Sequence, residues 1–200
     1  DGPTFNDVDL TALSGTDGFT ITTSDSSAQL GGSVSSADIN GDGLTDIVIG
    51  APETGTLSRT NNGVAIVLYG RVAGSYSDVT LESIPVGQGF VIHGENSEDR
   101  TSHSVRGIGD VNGDGIEDLM LSTIHDDEGG ASAGAAWVIF GVAGTSRTDI
   151  DLSTLSSADG FKIIGDTVGD DFGGSATVGD INGDGYQDLM ISSVSGDNAG

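Results

Sequence analysis

Cysteine is absent from the sequence, so disulfide staples and thiolate metal sites are excluded. Basic residues are scarce: 6 Lys and Arg stand against 31 Asp and Glu, a formal net charge of −25 at pH 7. So acidic a chain cannot neutralise nucleic-acid phosphates or settle on an anionic membrane, and its natural partners are cations. No apolar run approaches the roughly 20 residues of a membrane-spanning helix. Glycine is plentiful instead, with 34 residues beside a hydrophobic share of 35%. Together these reach the apolar content of folded domains, so the chain is expected to fold once its charge is balanced. It opens on Asp1 without a basic and apolar leader, which fits either no signal peptide or one already removed.

The sequence repeats itself. DINGDGLTD at 38–46 returns as DVNGDGIED at 110–118 and DINGDGYQD at 180–188, with starts 72 and 70 residues apart. Gly-Phe pairs place Phe19, Phe90 and Phe161 at steps of 71, and the apolar runs GVAIVLYG at 63–70 and GAAWVIFG at 134–141 keep that step. Three markers in one register make a tandem array. Within one period, turn residues delimit four short strands, expected at 33–39, 46–49, 64–69 and 90–93.

VAIVLY and AAWVIF do not alternate with polar residues as a strand with one wet face would. Both faces must therefore be covered. A radial stack of small sheets meets that demand, so the expected fold is all-β, a β-propeller of four-stranded antiparallel blades. A linear β-solenoid fits less well, because its repeats are much shorter.

The spacing D-x-N-x-D-G-x-x-D suits a hard divalent cation such as Ca²⁺, which takes six to eight oxygen ligands from alternate loop positions and a backbone carbonyl. The candidate ligands are Asp38, Asn40, Asp42, the Leu44 carbonyl and Asp46; then Asp110, Asn112, Asp114, the Ile116 carbonyl and Asp118; then Asp180, Asn182, Asp184, the Tyr186 carbonyl and Asp188. Gly43 stands where the chain must turn sharply. These are not EF-hands: the twelfth residues are Ile49, Leu121 and Ile191 rather than Glu, and the expected flanks are strands. Hairpin turns also favour Asp, Asn and Gly, but three copies that keep every carboxylate point to a cation that offsets their repulsion. Mg²⁺ fits less well because it demands a tighter octahedron. Three Ca²⁺ sites of this kind imply a calcium-rich, extracellular setting.

These motifs resemble the FG-GAP repeats that build the seven-bladed propeller of integrin α subunits and many secreted bacterial proteins. The first copy has Leu30-Gly31-Gly32-Ser33 where Phe-Gly is usual, then the acidic loop, then Gly50-Ala51-Pro52. The third keeps Phe172-Gly173 but has Ser192-Ser193-Val194; the second departs twice, with Thr101-Ser102 and Ser122-Thr123-Ile124. The resemblance implies a partial propeller: residues 1–30 as the outer strand of a preceding blade (18–22) plus a connection, 31–94 as one blade, 102–165 as the next, and 172–200 as the start of a third. Seven blades would need about 490 residues. It also implies the remaining blades, or other chains, as partners.

Little else carries chemistry. Gly130-Ala131-Ser132-Ala133-Gly134 matches a nucleophile elbow but precedes an apolar strand instead of a helix, so no catalytic residue is assigned. His93, His103 and His125 share no ligand spacing, although His125 beside Asp126, Asp127 and Glu128 is a weaker metal candidate. Asp126 is expected to be an exposed acid. Trp137 and Phe140 are expected in the packing between blades, and the six basic residues are too scattered for an anion site. The resulting expectation is a non-catalytic, calcium-binding extracellular or cell-surface module for adhesion or ligand binding, with a protein or carbohydrate ligand. The alternatives are the scaffold or accessory propeller of a secreted hydrolase, lyase or phospholipase, and a structural surface-layer or matrix protein.

Overall fold

The computed structural model describes residues 18–71, 77–185, 187–193 and 195. The strands are β1 (Ile21–Thr22), β2 (Ser33–Ala37), β3 (Asp46–Ala51), β4 (Val64–Leu68), β5 (Val79–Thr80), β6 (Gly89–His93), β7 (Thr101–Gly107), β8 (Leu119–Thr123), β9 (Ala135–Ile139), β10 (Ile150–Asp151), β11 (Gly160–Ile164), β12 (Phe172–Gly179) and β13 (Asp188–Ser193). Antiparallel strands in the order β6-β4-β3-β2 make the first sheet, β11-β9-β8-β7 the second, and β12-β13 a two-stranded third. The expected strand order within a repeat is thus found, and the fold is all-β with blade-like sheets. Sequence reasoning missed β5 and β10. Each lies on the connection into a fourth strand and pairs in parallel with the preceding repeat, β5 with β1 and β10 with β6.

The unbroken apolar runs explain the stacking. All five residues of β4 and all five of β9 are buried. Along β4 the side chains alternate between two cores. Ala65 and Val67, with Tyr69 beyond, join Leu121, Trp137 and Ile139 between the first and second sheets. Val64, Ile66 and Leu68 join Val79 and Leu81 on the far side, where Phe19 and Ile21 also pack. The far face of the second sheet, with Met120, Ala136 and Val138, packs against Phe172, Val178, Leu189 and Ile191 of the third. Fully burying one such aliphatic side chain contributes roughly 1.5–3 kcal/mol.

Close approach of successive repeats fixes the small residues. Gly63 (φ 76°) and Gly134 (φ 79°) hold equivalent places, and a side chain at either would collide with the backbone of Thr101 or Phe172 at the start of the next repeat. The short-motif positions of successive repeats meet across this contact. Gly31 (φ 86°), Ser102 (φ 71°) and Gly173 (φ 92°) occupy one left-handed position. Where the second repeat places Ser102 there, the first repeat faces it with Gly50, whose Cβ would strike the Ser102 carbonyl; where the third places Gly173, the second faces it with Ser122. Ser102 offsets its unfavourable backbone by side-chain bonds, donating to the Val64 carbonyl and accepting from the Ala51 amide at 3.2 Å.

The scarce cations bind the repeats together. Arg59 forms a paired contact with Asp151 at 2.8 and 2.9 Å, Arg147 stacks over the Phe90 ring at 5.4 Å, and Arg100 approaches Glu53 at 3.2 Å. They are scattered in sequence because each ties a different segment across the boundary between the first and second repeats.

Because Ser102 is buried, Ser102→Ala should leave the Ala51 amide without its partner while keeping the strained backbone, costing about 2–3 kcal/mol. Ser102→Gly should cost less, since it relieves the backbone. Urea unfolding of the two variants checks this, and equal losses would remove the strain argument.

Candidate metal centres

Each acidic loop joins the first and second strands of a sheet, all at one end of the stack, and both of its glycines are left-handed: Gly41 and Gly43 at φ 67° and 82°, Gly113 and Gly115 at 80° and 89°, Gly183 and Gly185 at 76° and 92°. Of these, Gly43 alone was expected to need this conformation. The backbone so bent wraps its amides around the first carboxylate. Asp38 accepts from Asp42 N at 3.1 Å and Gly43 N at 2.8 Å. Asp110 accepts from the amides of Gly113, Asp114 and Gly115 at 2.7, 3.1 and 2.7 Å, and Asp180 from those of Gly183, Asp184 and Gly185 at 2.6, 3.1 and 2.9 Å. The Asn oxygens of Asn40, Asn112 and Asn182 accept from Asp42, Asp114 and Asp184 at 3.0, 2.9 and 2.9 Å. Backbone amides therefore offset part of the repulsion that the sequence argument assigned wholly to a cation.

The ninth residue has a second duty that spacing did not reveal. Asp46 is fully buried and accepts from Ile39 N at 2.9 Å and Gly70 N at 2.7 Å. Asp118 repeats this with Val111 N at 2.9 Å and Gly141 N at 2.8 Å. These carboxylates pin the loop start to the end of the third strand, where the sequence signal was the glycine closing each apolar run. Asp188 is less enclosed and takes Ile181 N at 2.8 Å. Burial, with further contributions from Asp42 and Asp38, pushes the Asp46 carboxyl up to about 6 against its amide bonds. Burial raises Asp118 in the same way.

The donor set fits a hard cation. It is all oxygen, and a carboxylate oxygen that accepts one amide keeps another lone pair for a metal. Within each loop the first Asp, the Asn and the second Asp are linked by the bonds above, and Leu44 N and Ile116 N donate to Asp42 and Asp114 at 2.8 and 2.9 Å. The three carboxylates of a loop do not converge on one point in this structure; among the described residues the acidic group that does so is Glu95, Asp99 and Asp126. Tyr186 lies outside the described residues. A divalent ion would also supply the positive charge that buried Asp46 and Asp118 lack.

A different acidic cluster was misjudged. Asp126, expected to be exposed, is 1% exposed. It lies with Glu95 and Asp99 within 4.8 Å, and Lys162 supplies the cation, at 2.6 Å from Asp126, 2.7 Å from Glu95 and 2.8 Å from Glu128. The ammonium also sits 5.1 Å from the centre of the Trp137 ring. Here the fold carries its own counter-ion. The Gly130–Gly134 segment runs into β9, a strand, as its sequence context implied.

A model of the FG-GAP repeat family matches residues 30–68 and 172–200. These two stretches are FG-GAP repeats. The second repeat, with Ser102 and Ser122 at the short-motif positions, falls outside the matched intervals. The chain is 29% identical over 187 residues to integrin alpha-5 of Xenopus laevis, covering 91% of this chain and 16% of that protein. It is 30% identical over 168 residues to phosphatidylinositol-glycan-specific phospholipase D of Mus musculus, covering 83% of this chain and 18% of that one. Integrin alpha pat-2 of Caenorhabditis elegans is 30% identical over 181 residues, covering 84% of the chain and 14% of its own length. The chain thus spans less than a fifth of these relatives.

Two outcomes are expected. In metal-free protein, Asp46 and Asp99, whose carboxyls are both pushed up to about 6 by burial, hold protons that the unfolded chain has released. Stability from these groups is present below about pH 4 and is lost as pH rises toward 6. Asp151, held down at about 2 by Arg59, acts oppositely, losing its contribution as pH falls from about 4 to 2. Thermal melts of metal-free protein should therefore peak in mildly acidic buffer, and a maximum at pH 8 would contradict this. Lys162→Met should cost about 3 kcal/mol in urea unfolding by stranding buried Asp126.

Proposed function

We propose that this chain is a section of an extracellular or cell-surface β-propeller that binds calcium at three hairpin loops and serves adhesion or ligand binding without catalysis. The observation that carries this reading is the threefold recurrence of one oxygen-rich loop, closed in two copies by a buried carboxylate. Asp38, Asn40, Asp42, the Leu44 carbonyl and Asp46 would hold the first ion. Asp110, Asn112, Asp114, the Ile116 carbonyl and Asp118 would hold the second, and Asp180, Asn182, Asp184, the Tyr186 carbonyl and Asp188 the third. A bound ion acts as a staple, since a ligand selective for the folded state stabilises it by mass action. The integrin relatives favour a ligand-binding propeller, and the proposed blades are 31–94, 102–165 and the start of a third at 172–200, after an outer strand within 1–30. Ligand contact is assigned to the opposite end of the sheets, where the connections 52–63, 94–100 and 124–134 emerge. A protein or carbohydrate ligand and the remaining blades are the proposed partners.

The phospholipase relatives support a second reading, in which the same repeats are an accessory propeller of a secreted enzyme. Phospholipase activity in the parent protein, abolished by changes outside these repeats, would decide for it.

Calorimetric titration should show three equivalents of calcium, and chelator should lower the melting temperature. At a free calcium concentration a hundredfold above Kd, each site contributes about 2.7 kcal/mol. Asp42→Ala, Asp114→Ala and Asp184→Ala should each remove one equivalent, whereas Asp166→Ala, at an exposed position, should remove none. Melts indifferent to chelator, with no heat of binding, would sink the metal reading.

A further inference from the structure

We infer that Glu117 is a positioning residue that couples the first calcium loop to the second, an inference that rests on the calcium reading of both. Glu117 is the eighth residue of the second loop, between Ile116, whose carbonyl is a proposed ligand, and buried Asp118. Yet its own bonds go to the first loop. Its Oε2 accepts from Asp38 N at 2.7 Å, and its amide donates to the Asp38 carbonyl at 3.3 Å. Beside it the Ile116 side chain lies against Gly41, whose added Cβ would come within 3.2 Å of it. The tail of the second loop is therefore a wall of the first, and it grips the residue whose carboxylate gathers the Asp42 and Gly43 amides.

An ion that fixes the Ile116 carbonyl and Asp118 must also fix Glu117, which is bonded into the same three-residue stretch. Holding Glu117 still holds Asp38 in its ligating place, and the carboxylate adds negative charge beside the first loop. Occupancy of the second loop thus favours occupancy of the first, and linkage requires the reverse effect to be equal. The charged contact is particular to this pair. At the same place the third loop has Gln187, which lies near Gly109, and the first loop has Thr45.

The test is a calcium titration of the full 200-residue chain followed by amide NMR, with Gly43 and Gly115 as separate reporters of the two loops. Asp114→Ala, which removes the second site, should weaken the Gly43 transition by about fivefold, the lower end of typical coupling between sites. Glu117→Ala should weaken the Gly43 transition similarly and make it insensitive to a further Asp114→Ala change. Glu117→Gln, which keeps an acceptor but loses the charge, should fall between. Since Glu117 is exposed, the metal-free melts of its variants should match the parent, separating coupling from folding. Gly43 and Gly115 titrating independently in the parent, or additive effects of Asp114→Ala and Glu117→Ala, would overturn the coupling while leaving the calcium sites standing. No calcium-dependent shift at either glycine would overturn both.

Discussion

The structure depends on one constraint: strands such as β4 and β9 are apolar on both faces, so neither face can be left to water. A single sheet cannot satisfy that demand. Each sheet must be covered twice, and in a tandem array the cover is another copy of itself. Equivalent residues then meet at equivalent places, which explains why Gly63 and Gly134 both face the start of the following repeat. It also explains why Gly50 opposite Ser102 and Ser122 opposite Gly173 behave as matched pairs.

Charge follows the same logic. With 31 acidic and 6 basic residues, the chain cannot pair its carboxylates one by one. Four cations are spent at junctions, where Arg59, Arg100, Arg147 and Lys162 tie acids or rings of neighbouring segments. The remaining crowded carboxylates lean on backbone amides, which the left-handed glycine pairs turn inward. The Lys162 cluster and the loops are two answers to one problem. In the first, three carboxylates share an ammonium that belongs to the chain; in the second, backbone amides supply partial positive charge, and the proposed calcium would add the rest.

Much of this was legible in the sequence because it is periodic. The strand order and the coverage of both faces follow from spacing and from the absence of polar residues in the apolar runs. The parts that were not legible depend on contacts between repeats. Nothing local distinguishes Asp126, a buried partner of Lys162, from its exposed neighbour Asp127, because the partner lies 36 positions away on β11. Likewise, the bonds from Gly70 and Gly141 to Asp46 and Asp118 join a loop to the end of a later strand. The Thr101-Ser102 departure is explained only by a contact between repeats, where the Ser102 hydroxyl bridges Val64 and Ala51.

One nine-residue motif consequently meets three environments. Ile39 in the first loop is 1% exposed, whereas Ile181, its counterpart in the third, is 66% exposed. The first loop is backed by the second repeat, since Val142 and Gly144 donate to the Ile39 and Asn40 carbonyls at 3.0 and 2.9 Å. Burial strengthens electrostatic attraction by lowering the local dielectric, and bonds from outside hold ligands in place before an ion arrives. If the loops hold calcium as proposed, their affinity would be a property of the junction as much as of the motif. Loops that look identical in sequence are graded by what the next repeat places against them, and the first loop, walled by Ile116 and Glu117, stands at the preorganised end of that series.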